Sequence, residues 1–276
     1  MTAIASTPRA IANTRPGFGA TLLAEWTKLR SVRSTWIIVG LAIVLSIGTS
    51  ALTAIVTGST INDWNDLGDG LDSPLQSSLT GMVFRIILLV VLGVTAVTSE
   101  YSSRSIQTAF TVTPNRVQVL AAKALLVAAL GMTVGVITVF GMFTVSQAIF
   151  GSYGLETASI TDAGAARYLF VFALVQATVY TMIPFSIAWL LRSTATAITA
   201  SFGFLLLPYM LAAVVPEWIQ TNVLRYMPDV ATDSLAGFTD PSAATHLSQA
   251  PAIAVIVIWL VGLLAAAAYV VNRRDV

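Results

Sequence analysis

Residues 124–149 read "ALLVAALGMTVGVITVFGMFTVSQAI", 26 residues without one charged side chain. About 20 such residues cross the hydrocarbon core of a bilayer as an α-helix. A membrane β-strand would instead alternate apolar and polar positions over about ten residues. Lipid offers the backbone no hydrogen-bond partners, and a helix satisfies its own groups within one segment. Working outward from this stretch, five more apolar blocks appear, at 36–57, 79–97, 168–190, 195–215 and 252–271. The 276-residue chain is 56% apolar and 10% charged, whereas soluble domains carry about 25% charged residues. The expected fold is an all-α integral membrane protein with six transmembrane helices.

The charges orient it. Arg9, Arg15, Lys28, Arg30 and Arg33 precede the first block. Arg104, Arg116 and Lys123 fall between the second and third, Arg192 between the fourth and fifth, and Arg273 and Arg274 after the last. The alternate connections hold only Arg167 and Arg225, with Arg85 near an edge, and most of the acidic residues. Lys and Arg accumulate on the cytoplasmic side, so both termini and the connection 98–123 are expected to face the cytoplasm.

Ahead of the first block, "FGATLLAEWTKLRSVRSTW" (18–36) places Phe18, Leu22, Trp26, Leu29 and Val32 on one helical stripe. A basic amphipathic helix with Trp on its apolar side reads as lying in the membrane surface. Lys28, Arg30 and Arg33 would then meet anionic lipid headgroups, or serve only as a topology-setting flank. The organisation expected is a tail at 1–17, the interfacial helix at 18–35 and a transmembrane domain at 36–276. The tail lacks the apolar core of a cleavable signal peptide.

Within the blocks, Pro184 and Pro208 each remove a backbone donor and are expected to kink their helices, shaping a cavity or gate or simply being tolerated. Gly131 and Gly135 form one GxxxG, which permits close helix packing. Arg85 either snorkels to outer headgroups or contacts a neighbouring helix or the transported molecule. The chain has no Cys and one histidine, His246, so no ordinary zinc site is expected. Asp63, Asp66, Asp69 and Asp72 lack the spacing of a calcium loop and read as a solvated connection. No phosphate-binding loop of the G-x-x-x-x-G-K-[ST] type occurs.

The polar stretch "TSEYSSRSIQTAFTVTPNRVQVLAAK" (98–123) is long and patterned for a plain turn. Glu100 and Arg104 stand four apart and can pair on one helical face, with Thr98 and Ser99 as candidate caps. This stretch, together with "LLAEWTKLRSVRSTW" before the first block and the ending "VVNRRDV", resembles permeases of the ABC-2 type from actinobacteria, in order along nearly the whole chain. The resemblance implies a membrane subunit of an ATP-driven exporter located in the cell membrane. It implies two separate ATPase subunits carrying Mg-ATP and a second permease copy, identical or similar. It also implies a coupling helix near Glu100, Tyr101, Arg104, Ile106 and Phe110, with Arg116 beyond it, and a re-entrant region on the outer side at 216–251. Relatives often have Gly at the position of Arg104 and Arg at that of Ser102, so bulk and charge differ at the implied docking helix. The chain itself is expected to bear no catalytic, cofactor or metal site and to bind no nucleic acid. An amphipathic molecule, lipid or peptide suits the apolar spans as cargo. From the residues alone, a non-transporting sensor or scaffold would explain the polar stretch too. An ion-driven carrier is disfavoured by the lack of acidic residues inside the blocks.

Overall fold

The computed structural model describes residues 17–61, 63–64, 73–102, 115–212 and 214–273, and among these every regular element is a helix. Helix α1 (Phe18–Ser31) is followed at once by α2 (Arg33–Thr60), the chain turning at Val32 in extended conformation. A single turn, α3 (Pro74–Ser77), precedes α4 (Met82–Ser102) and the 37-residue α5 (Arg116–Ser152). Next come α6 (Ala165–Phe170), a π-helical segment (Val171–Gln176) and α7 (Ala177–Leu191), which form one continuous rod. Helix α8 (Thr194–Ala212), the short α9 (Glu217–Asn222) and α10 (Pro228–Ala236), and the long α11 (Gln249–Arg273) complete the chain.

Five helices among the described residues are long and apolar enough to cross a membrane: α2, α4, α5, the α6–α7 rod and α11. Helix α8 holds the apolar stretch Thr194–Pro208, so five of the six expected spans are found among the described residues.

Helix α4 packs along α7, α2 along α5, and α11 along α7 and α10. The α6–α7 rod is the axis of the bundle, with 72% of its most apolar window buried against 11% for α11. Close approach is built from glycine. A Cβ on Gly135 would overlap the Ala173 carbonyl, and one on Gly93 the Thr181 carbonyl. The Gly131/Gly135 pair therefore lies where α5 meets the axial rod. Pro184 and Pro208 both sit inside continuous helices.

Helix bounds depart from the apolar blocks at the polar ends. Helix α4 runs on through Glu100 and Tyr101, and α5 begins at Arg116, where the Asn115 side chain accepts the Gln118 N–H at 3.2 Å. Of the polar connection only 103–114 lies beyond described helix, and Arg104, Ile106 and Phe110 fall there, outside the described residues. Thr98 is no cap: its hydroxyl donates to the Val94 carbonyl within α4. Arg33 opens α2 rather than closing α1.

Of the stripe read on α1, Phe18, Trp26 and Val32 are exposed and Leu22 and Leu29 half-buried. The side facing the bundle carries Thr21 and Glu25, both buried, while Phe18, Leu23 and Trp26 are exposed. In water an apolar stripe marks the face turned to the core. Next to a membrane domain the apolar face is free to turn outward, and the polar face finds partners inside.

Candidate functional site

Two polar constellations occupy opposite ends of the bundle. The first gathers α1, the last turn of α4 and the first turns of α5. Lys123, on α5, places its Nζ 2.7 Å from Glu25 Oε2 on α1 and 2.8 Å from Glu100 Oε1 on α4. Lys28, one turn along from Glu25, places its Nζ 2.6 Å from Glu25 Oε1 and 3.3 Å from Glu100 Oε1. Each ammonium thus bridges both carboxylates. Gln118 adds a hydrogen bond to the Thr21 hydroxyl at 2.7 Å.

Side chains of Glu25 and Lys123 are 4% and 7% exposed, and Lys28 is 39% exposed. Burying an ion is costly unless it is paired, and here each of three buried charges has opposite charge in contact. Burial alone would raise the pKa of Glu25, but the adjacent Lys123 and Lys28 outweigh it and hold it below the ordinary value. Burial likewise opposes the charge of Lys28, and Glu25 and Glu100 outweigh it and raise its pKa.

A cavity of about 390 Å³ opens beside this quartet, between α1, α2, α4 and α5. One end is polar, lined by Glu25, Lys28, Glu100 and Lys123. The other is mainly apolar, with Leu92, Leu126, Val127 and Leu130, and hydroxyl side chains such as Thr35 and Thr95 also line the cavity. The neighbouring predicted residues join helix ends. The Tyr101 ring meets Trp189 edge-on at 5.9 Å and lies under the Arg192 guanidinium at 5.4 Å. Arg116 donates to the Val271 carbonyl at 3.2 Å. Leu29 packs onto the core that holds Val97 and Trp189, Leu22 is half-buried, and Arg30 and Arg33 are exposed.

At the opposite end Arg85 is fully buried. It does not reach out toward headgroups. Its Nη1 donates to the Phe172 carbonyl at 2.9 Å and its Nη2 to the Gln176 amide oxygen. Both acceptors belong to the π-helical segment, whose wide turn changes which groups face a neighbouring helix. One turn on, the Tyr180 hydroxyl donates to Asp229 Oδ2 at 2.6 Å. Asp229 and Asp233, expected in a connection between spans, are buried on α10 against the rod.

Sequence reasoning singled out Glu100, Lys28 and Arg85 but assigned nothing to Glu25, Lys123, Gln176 or Asp229. Two signals were available. Glu25 is the lone carboxylate of a basic segment, and Lys123 is the last charge before the uncharged run that reaches to Glu156.

A family model described as ABC-2 family transporter protein matches residues 21–225, from α1 to the turn before α10. No curated protein and no solved structure matches the chain.

Proposed function

We propose, from the premise that the chain belongs to the ABC-2 family of transporter proteins, that it is the permease subunit of an ATP-driven exporter of the cell membrane. In this reading six helices cross the membrane, the shorter α8 among them, and both termini face the cytoplasm. The pathway lies between this chain and a second permease, identical or similar. ATP is hydrolysed by two separate ATPase subunits, and the cargo is an amphipathic molecule, lipid or peptide.

The observation that carries the mechanism is the quartet Glu25, Lys28, Glu100 and Lys123. It ties α1 to the two helix ends that flank residues 103–114. A push delivered to that connection by an ATPase would reach α4 and α5 directly, and α1 through the bridged charges. Rigid helices then carry the displacement to the far end, because packed elements shift as units rather than deform.

The test is to purify the complex after gentle extraction and measure ATP hydrolysis. A stoichiometric ATPase, with Glu100→Gln lowering transport per ATP hydrolysed while leaving membrane insertion intact, supports the proposal. A chain that purifies without any ATPase would favour a sensor or scaffold docking another partner. Unchanged coupling in Glu100→Gln would remove the quartet from the mechanism.

A further inference from the structure

The 390 Å³ cavity beside the quartet has a composition that the coupling role does not require. It lies at the lower end of the range of small-molecule sites, about 300–1,000 Å³. That is room for a head group and the first part of one acyl chain. Its walls divide along its length into a charged end and an aliphatic end, so a fitting molecule is itself divided into polar head and tail.

The charges at the polar end sum to zero: two carboxylates, Glu25 and Glu100, against two ammonium groups, Lys28 and Lys123. A head of net charge brought there would be left uncompensated, which is costly in a poorly solvated site. A head with one positive and one negative group adds no net charge and can pair with both signs. Lys28 is the accessible ammonium and uses two of its three N–H donors on Glu25 and Glu100, so one remains for a phosphate oxygen. The Glu25 carboxylate has about four acceptor positions and meets two ammonium groups, which leaves capacity for an incoming primary ammonium. A quaternary ammonium could not donate there.

We infer that the cavity between α1 and the bundle binds a zwitterionic membrane lipid through its phosphoethanolamine head, with part of one acyl chain among Leu92, Leu126 and Leu130. The site is built by this chain alone, so the inference stands or falls independently of the exporter reading. Bound lipid would fill the space behind α1 and fix its distance from α4.

The test is competition on the purified full-length chain. The protein in mild detergent receives equal amounts of phosphatidylethanolamine and phosphatidylglycerol, and native mass spectrometry counts the lipid retained. Wild type should keep the ethanolamine lipid by at least about tenfold, the ratio for a difference of about 1.4 kcal/mol. Leu126→Trp, which fills the aliphatic end, should lose it to background. Glu25→Gln, which leaves the lining one positive charge in excess, should turn the preference toward phosphatidylglycerol. Should Leu126→Trp fail to fold, Leu130→Phe narrows the same end more gently. Equal retention of the two lipids overturns the inference. So does retention that ignores both the filled cavity and the altered charge. A chain that binds the lipid yet recruits no ATPase would leave the site standing and defeat only the exporter reading.

Discussion

The two polar ends of the bundle solve one problem by opposite means. At the α1 end four formal charges neutralise one another in pairs, and one of them, Lys28, is 39% exposed. At the far end a single guanidinium is buried completely and held by neutral acceptors, a carbonyl and an amide of the π-helical segment. The first arrangement can exchange partners without stranding a charge, because each carboxylate has two cations. The second depends on one local geometry, because both hydrogen bonds of Arg85 go to the π turn, with the buried Asp229 acting on it only through its charge. The α1 end is therefore suited to move and the Arg85 end to hold.

That contrast is open to attack, first where the expected loss is greatest. Arg85→Ala should destabilise the fold most. It removes two hydrogen bonds from a charged donor, about 1.5–3 kcal/mol each, and leaves a cavity against the rod. Unfolding of the purified chain in detergent, followed by circular dichroism, should show a loss of at least about 3 kcal/mol. A loss below about 1 kcal/mol would mean that Arg85 anchors nothing.

Lys123→Met comes next. It strands Glu25 and Glu100 beside each other with only the half-exposed Lys28 between them. Breaking a buried ion pair from one side costs about 3–5 kcal/mol. Here the remaining lysine softens the loss to about 2–3 kcal/mol, because it still bridges both carboxylates. The double variant Lys123→Met/Glu25→Gln should recover part of it. A double-mutant cycle with no coupling between the two positions would break the quartet as a unit.

How much of this could be read from the chain depends on what each signal measures. Hydropathy finds apolar length, and it located α2, α4, α5, the rod and α11 because each is a long run facing lipid or core. It blurred the helix ends, where Glu100 and Arg116 extend helices past their apolar blocks. Periodicity on α1 made the apolar stripe legible, but not that the opposite, polar face packs inward with Thr21 and Glu25 buried. Pairings between distant positions, such as Glu25 with Lys123 or Arg85 with Gln176, leave no trace in local pattern. Nor does a π turn, which depends on what the rod packs against. Asp229 and Asp233 fall in the stretch 216–251 between apolar blocks, where nothing local shows that α10 buries them in the bundle.

The smaller effects sharpen the comparison. Lys28→Met removes a lysine that water already screens, so the stability lost should be under about 1 kcal/mol. Coupling, if the quartet moves, should suffer more than stability does. Loss of both in proportion would make Lys28 a structural tie rather than a moving part.

The gentlest probe is pH, because it changes charge without changing shape. Glu25 has a pKa held below its ordinary value of 4.5, so its contribution is present above 4.5 and is lost as pH falls through the lowered value. Lys28 has a pKa held above its ordinary 10.5, so its contribution is present below 10.5 and is lost as pH rises through the raised value. The docking of α1 should therefore be firm between these limits and loosen beyond either. The chain has no cysteine, and Leu23 faces outward on α1, 68% exposed. A spin label on Leu23→Cys should report slow, uniform motion near neutrality and faster motion as pH drops below 4.5. A label on Val83→Cys, exposed on α4 near Arg85, should not respond over that range if the far end is held as described. Equal loosening at both labels would mean general unfolding, and the two ends would no longer differ in kind.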